Sequence, residues 1–83
     1  MKIVIGTAAD CDVTITDLYA SPRHAMITDE GGRWSVRDLG STNGTRIRRG
    51  SAEFRTALGG FSVLLKGDVI IVGRTELPPW DLP

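Results

Sequence analysis

Short apolar stretches, alternating or continuous, follow one another along the whole chain with turn residues between them. Alternation at period two indicates a strand with one buried face, and no run keeps the spacing of an amphipathic helix. Many short strands with turns every eight to twelve residues or so predict an all-β fold, a sandwich or a barrel. The predicted strands span residues 2–5, 12–15, 24–28, 33–38, 45–48, 61–65, 69–72 and 75–77.

Two segments of this pattern leave alternatives open. Residues 38–45 contain Asn43-Gly44, a strong signal for a tight turn, between two alternating stretches. This arrangement predicts either a hairpin or a strand-loop-strand connection. Residues 52–60 fit either one helical turn or a loop that places Phe54 and Leu58 in the core.

The 38–45 segment carries more polar side chains than a turn requires, because the hydroxyls of Ser41, Thr42 and Thr45 surround the Asn43 carboxamide. Such a cluster, beside glycines that leave backbone N–H groups accessible, can bind an anion or the backbone of an extended peptide. The same side chains can equally bond to their own turn, as they do in Asx and Ser/Thr turns.

Charge is balanced overall but uneven along the chain. Ten basic and ten acidic residues give no net field, so we expect neither nucleic acid nor an acidic membrane as a partner. Residues 33–55 nevertheless hold six arginines, the side chain best suited to phosphate and carboxylate. This region could attract an anionic partner, or its arginines could line a solvated strand face.

The chain carries no sign of export or membrane insertion. Its 83 residues fit one domain, 1–83, and no apolar run reaches the length of a membrane helix. The apolar start of the chain is too short for a signal peptide. Cys11 is the single cysteine and forms no disulfide within the chain, which favours a reducing compartment. We therefore expect a cytoplasmic protein.

Catalytic and metal-binding constellations are missing from the sequence. The single histidine, His24, lies three residues after Ser21, but no nucleophile turn and no orienting acid accompany them. One His and one Cys do not make a zinc site. We expect no enzyme, no catalytic residue, no metal and no cofactor, and a structural role for His24.

The motifs of the chain follow a recognisable order. Ile5-Gly6 is followed by Ser21-x-x-His24, then by Asp38-Leu-Gly-Ser-x-Asn-Gly-Thr45, and then by Leu65-x-Gly-Asp-x-Ile-x-x-Gly73. This order resembles the forkhead-associated (FHA) domain family over about residues 3–77. The resemblance implies an eleven-stranded antiparallel β-sandwich that binds phosphothreonine peptides through loops at one end.

The resemblance also implies roles for individual residues. Ser21 would bond the phosphate, Thr42 would help to hold it, and Asn43 would grip the peptide backbone beside the phosphothreonine. His24 would tie the Ser21 loop to its neighbours, and Gly6 and Gly44 would shape turns.

Three departures from the family pattern bear on function. The arginine that usually follows the first glycine is replaced by Thr7, and the residue after the serine is Pro22, which has no N–H. Arg23 is then the one cation left in the motif, so we expect the phosphopeptide-binding residues to be Thr7, Ser21, Arg23, Thr42 and Asn43. The chain also begins at the Ile-Gly strand, without the family's leading β-hairpin.

Two functional hypotheses remain. The first is a phosphothreonine-binding signalling module whose partner is a phosphorylated protein or peptide. The second is a degenerate FHA scaffold that binds a protein partner without phosphate. Because an apolar strand at 2–5 without its leading hairpin would form an open sheet edge, a homodimer through that edge is also expected.

Overall fold

The computed structural model describes residues 1–57 and 59–81. This part of the chain forms nine strands and one short 3-10 helix at Pro79–Asp81. The strands are β1 (Lys2–Gly6), β2 (Val13–Thr14), β3 (Ala25–Glu30), β4 (Arg33–Asp38), β5 (Thr45–Arg49), β6 (Ala52–Arg55), β7 (Phe61–Val63), β8 (Val69–Val72) and β9 (Thr75–Leu77). Most of the predicted strands appear within one or two residues of their expected bounds.

The nine strands make two sheets. The first has the order β2-β1-β3-β4-β7 and the second the order β6-β5-β8-β9. Neighbours in both sheets are antiparallel, except that β1 and β2 run parallel. The predicted all-β sandwich is confirmed, with nine strands in the described residues where the resemblance implied eleven.

An apolar core lies between the sheets. Alternate residues of β1, β3 and β4 face alternate residues of β5 and β8, as period-two patterning requires. The side chains are aliphatic and almost without solvent exposure, so they supply the main driving force for packing the two sheets together. The buried cluster comprises Ile3, Ile5, Ala25, Ile27, Val36, Ile47, Leu64, Ile70 and Val72.

The hairpin alternative for residues 38–45 is wrong, and the strand-loop-strand alternative is right. β4 lies in the first sheet and β5 in the second, so the loop between them crosses from one sheet to the other. Positive φ falls on Gly40 (83°) and Gly44 (80°), whereas Asn43 keeps negative φ. The glycines therefore turn the chain, and the Asn43 side chain is available for other contacts.

Residues 52–60 differ from both alternatives. Residues 52–55 form β6, an edge strand paired only with β5, and Phe54 keeps 38% of its surface exposed beneath the Arg49 guanidinium, 5.1 Å from the ring centroid. The expected burial of Phe54 is wrong, and Leu58 lies outside the described residues.

The open edge expected at β1 is covered in part. β1 pairs with β3 over residues 2–5 on one side, whereas β2 on the other side reaches only Ile5 and Gly6, and the Asp12 carboxylate accepts the Val4 N–H at 2.8 Å. A homodimer through the 2–5 strand stays a prediction. No helix in the described ranges is long and apolar enough to cross a membrane.

Candidate functional site

Three loops meet at one end of the sandwich: the first loop (residues 7–12), the central loop (15–24) and the Asn43 loop (39–44). The Thr7 N–H donates to the Ser21 carbonyl at 3.2 Å. The Thr42 N–H donates to the Ser21 hydroxyl oxygen at 3.2 Å, and the Asn43 amide Nδ2 donates to the Tyr19 carbonyl at 2.8 Å. The central loop is thus bonded to both of its neighbours.

His24 joins the central loop to the Asn43 loop on their buried side. Its ring is fully buried; Nδ1 accepts the Ser21 N–H at 3.0 Å, and Nε2 lies 2.8 Å from the Gly44 carbonyl. Because Nδ1 must accept and a carbonyl oxygen can only accept, the proton lies on Nε2 in a neutral ring. One tautomer therefore fixes the distance between Ser21 and Gly44.

Asp38 holds the shape of the Asn43 loop. Its Oδ1 accepts the hydroxyls of Ser41 (2.5 Å) and Thr45 (2.7 Å), and its Oδ2 accepts the N–H groups of Gly40 (3.0 Å) and Ser41 (2.9 Å). Partial burial acts to raise the pKa of Asp38, but these hydrogen bonds outweigh it and leave the pKa below its ordinary 3.8. The loop is therefore organised around one ionised carboxylate.

Asp17 anchors the central loop to the β8–β9 turn, and the sequence analysis missed it. Its carboxylate accepts the N–H groups of Tyr19 and Arg74, both at 2.8 Å, and the Thr75 hydroxyl at 2.7 Å. The bond from Thr75 is the main cause of a pKa below 3.8 for Asp17. A local Asx turn is detectable from sequence, but contacts 57 and 58 residues away are not.

Gly6 is required where the first and central loops touch. A Cβ on Gly6 would collide with the carbonyl oxygen of Pro22, which also accepts the Ala8 N–H (3.1 Å) and lies 3.2 Å from the buried Cys11 Sγ. The glycine therefore permits a close backbone approach rather than a positive φ. The Pro22 carbonyl thus bonds the central loop to the first loop.

Of the five residues expected to bind a phosphopeptide, four lie together. Thr7, Ser21, Thr42 and Asn43 share the backbone and side-chain bonds described above, while Arg23 extends to Asp10, with 3.1 Å between Nη1 and Oδ2. The Ser21 hydroxyl oxygen accepts one bond, which leaves its proton free to donate. The cluster thus presents hydroxyl donors and an amide group on an exposed surface.

The arginines of the middle region are mostly engaged within the chain. Arg46 pairs with Glu53 at 2.7 Å, Arg48 with Glu76 at 2.6 Å, and Arg49 with the buried Asp68 at 2.8 Å. These contacts are consistent with the expected solvated strand face for these three arginines, which are partly exposed and paired with acidic side chains. Arg55 differs, since its Nη2 donates to the Asn43 carbonyl at 3.0 Å, a contact that the sequence analysis did not anticipate.

Comparison with known proteins places the fold and this loop set in one family. The family model described as "FHA domain" matches residues 3–73, which is most of the chain. The chain belongs to the FHA domain family. The forkhead-associated resemblance is therefore confirmed, and the three loops are those of an FHA domain.

Named relatives support this assignment. The FHA domain-containing protein FhaB of Mycolicibacterium smegmatis is 51% identical over 47 residues, 57% of this chain and 30% of that protein. The FhaA FHA domain, solved in complex with the intracellular domain of Rv3910, is 32% identical with a TM-score of 0.72, covering 90% of this chain and 75% of that one.

A further structure, from an analysis of phosphothreonine-dependent FHA domain interactions, has a TM-score of 0.73 at 32% identity, covering 90% and 71% of the two chains. The chain spans about a third of the length of its FhaB relative.

Proposed function

We propose that this FHA domain binds phosphothreonine peptides through the end of the sandwich formed by the three loops. The observation that carries the proposal is the Ser21–Thr42 contact: the Thr42 N–H donates to the Ser21 oxygen, so the hydroxyl proton of Ser21 remains available to donate to a ligand. Asn43 lies beside this contact on an exposed turn, where its carboxamide Oδ1 can accept a peptide N–H.

The site has little positive charge available for a phosphate group. A phosphate carries about −1.5 to −2 charges at neutral pH, and a charge-assisted bond to it contributes about 1.5–3 kcal/mol. Thr7 offers no such charge, and Arg23 shares its own with Asp10. A site without one such bond binds about ten- to a hundredfold more weakly, so we expect affinities near 0.1 mM.

The proposal also covers the extent of the domain, its role as a binding module, its partner and its compartment. The domain, taken as residues 1–83, acts as a binding module rather than an enzyme and meets a phosphorylated protein partner in the cytoplasm. The single cysteine and the balanced charge support a cytoplasmic role without nucleic acid or membrane as partner. The similar structure that comes from an analysis of phosphothreonine-dependent FHA domain interactions supports the ligand class.

Calorimetry with matched phosphorylated and unphosphorylated threonine peptides tests the proposal. We expect binding of the phosphorylated peptide only. Thr7→Arg, placed beside the Ser21 carbonyl, should tighten phosphopeptide binding about ten- to a hundredfold and make it more sensitive to salt. The unphosphorylated peptide should gain little.

The alternative hypothesis, a scaffold that binds its partner without phosphate, predicts the opposite result. If Thr7→Arg creates no selectivity for phosphate, and neutralising Arg23 leaves phosphopeptide binding unchanged, phosphothreonine recognition is wrong for this domain. Binding of a protein partner with and without phosphate at equal affinity would then establish the scaffold function.

A further inference from the structure

Arg55, at the end of β6, places its guanidinium against the back of the Asn43 loop. Its Nη2 donates to the Asn43 carbonyl at 3.0 Å. Gly44 makes this approach possible, because a Cβ on Gly44 would lie only 3.3 Å from the Arg55 Cζ. The guanidinium is thus held close to the turn that carries Thr42 and Asn43, not free in solvent.

The positive charge of Arg55 is not neutralised by an acidic side chain among the described residues. Arg46, Arg48 and Arg49 each pair with a carboxylate, whereas the hydrogen bond of Arg55 goes to a neutral carbonyl. That bond uses one of the five guanidinium N–H donors. The others remain available on an exposed side chain at the loop end of the sandwich.

A hollow of about 200 Å³ lies beside this guanidinium, large enough for a carboxylate or a phosphate group. Thr42, which is exposed, lines this hollow, and so does the buried Thr45, whose hydroxyl already donates to Asp38. Asp38 also lines the hollow, and its ionised carboxylate already accepts four hydrogen bonds, three from the Asn43 loop and one from Thr45. Its full lining is Asp38, Ser41, Thr42, Gly44, Thr45, Arg55 and Thr56.

Thr42 connects this hollow to the proposed phosphothreonine site. Its backbone N–H donates to the Ser21 hydroxyl, and the same residue lines the hollow. An extended peptide advances about 3.3 Å per residue, so a side chain one to three positions from the phosphothreonine reaches past Thr42. The hollow is therefore within range of the same peptide.

We propose that Arg55 and Thr42 form a second anion subsite, which takes an acidic or phosphorylated side chain flanking the phosphothreonine. The proposal rests on the proposed function. It gives the domain a preference for doubly anionic peptides, since the second charge meets a preorganised guanidinium. Asp, Glu and phosphoserine share this chemistry, and the test separates them.

The test is a scan of phosphothreonine peptides in which a single Asp, and then a single phosphoserine, moves through positions −3 to +3 of an alanine background. We expect one position, or two adjacent positions, to bind about three- to tenfold more tightly to the wild-type domain. Arg55→Gln should abolish that preference and change the affinity of the all-alanine peptide less than about twofold. Arg55→Lys should keep part of it.

Arg33→Gln, an exposed arginine on β4, is the matched control and should leave the preference intact. If no anion position depends on Arg55, or if Arg55→Gln weakens every peptide equally, the subsite is wrong and Arg55 only supports the Asn43 backbone. If the wild-type domain binds none of the phosphothreonine peptides, the proposed function itself is wrong, and the subsite fails with it.

Discussion

Gly6 illustrates how one missing side chain permits the loop contacts at the binding end. Because a Cβ at this position would collide with the Pro22 backbone, Gly6→Ala should lower the free energy of unfolding by about 1–3 kcal/mol. The measurement is urea denaturation. Gly60→Ala is the control, since its new Cβ would meet only Ala57, at 3.9 Å, and no positive φ is involved. Equal stability of the two variants would contradict the crowding argument.

Asn43 has both a structural bond and a proposed ligand contact. Asn43→Ala removes the bond to the Tyr19 carbonyl, which contributes about 0.5–1.5 kcal/mol to stability, and should cost about 1.5–3 kcal/mol of phosphopeptide affinity. Calorimetry and thermal unfolding separate the two losses. Ser41→Ala provides the contrast, because its hydroxyl bonds inward to Asp38 and to the Gly44 N–H. Ser41→Ala should lose more stability than phosphopeptide affinity. If Asn43→Ala shows the same ratio of lost stability to lost affinity, Asn43 is only structural.

At the scale of elements, Asp17 couples the central loop to the β8–β9 turn. Asp17→Ala should release both segments, so the Tyr19 and Arg74 amides should exchange with deuterium faster. The Leu39 amide, bonded to the His24 carbonyl, should keep its protection as an internal control. Phosphopeptide affinity should fall as the central loop loosens. Unchanged exchange at Tyr19 would mean that other contacts fix the loop.

The strands were predictable where one face is buried, because burial produces the alternation that the sequence displays. β3, β4 and β5 have this property, whereas β1 and β8 were predictable as short continuous apolar runs bounded by turn residues. β6 has four exposed residues, so no alternation marks it, and its identity depends on pairing with β5. Alternation also fails to tell which sheet a strand joins, which is why the β4–β5 connection could not be assigned.

The candidate site was predictable to the extent that its residues follow one another in motifs. Ser21, His24 and Asn43 were found because their spacing is characteristic. Asp17 and Arg55 were not, since their partners are brought close only by the folded sheets, 57 and 12 residues away along the chain. Long-range contacts of this kind leave no local pattern.

The whole molecule should lose stability in acid. Asp17, Asp38, Asp68 and Glu76 all have a pKa in the folded state below the ordinary value, 3.8 for Asp and 4.5 for Glu. The stabilisation is present above those ordinary values and disappears as the pH falls through the lower folded-state pKa of each group. Urea unfolding between pH 7 and about pH 2.5 should show this decline.

Asp38→Asn should reduce the loss of stability between neutral and acid pH, because it removes one titrating carboxylate. High salt should weaken the contribution of the exposed Glu76–Arg48 pair but spare that of Asp38, whose pKa is lowered by neutral donors. A flat stability profile down to pH 3 in the wild type would contradict the prediction.

The bonds among the three loops also determine how fast a ligand binds. His24 links the central loop to the Asn43 loop, Asp17 anchors the central loop to the β8–β9 turn, and Asp38 fixes the shape of the Asn43 loop. Because the loops are already fixed in this way, we expect that no rearrangement has to precede or follow peptide contact. Stopped-flow traces should therefore be single-exponential, with an observed rate that rises linearly with peptide concentration and reaches no plateau. Weak peptides would then differ from tight ones in their dissociation rate alone.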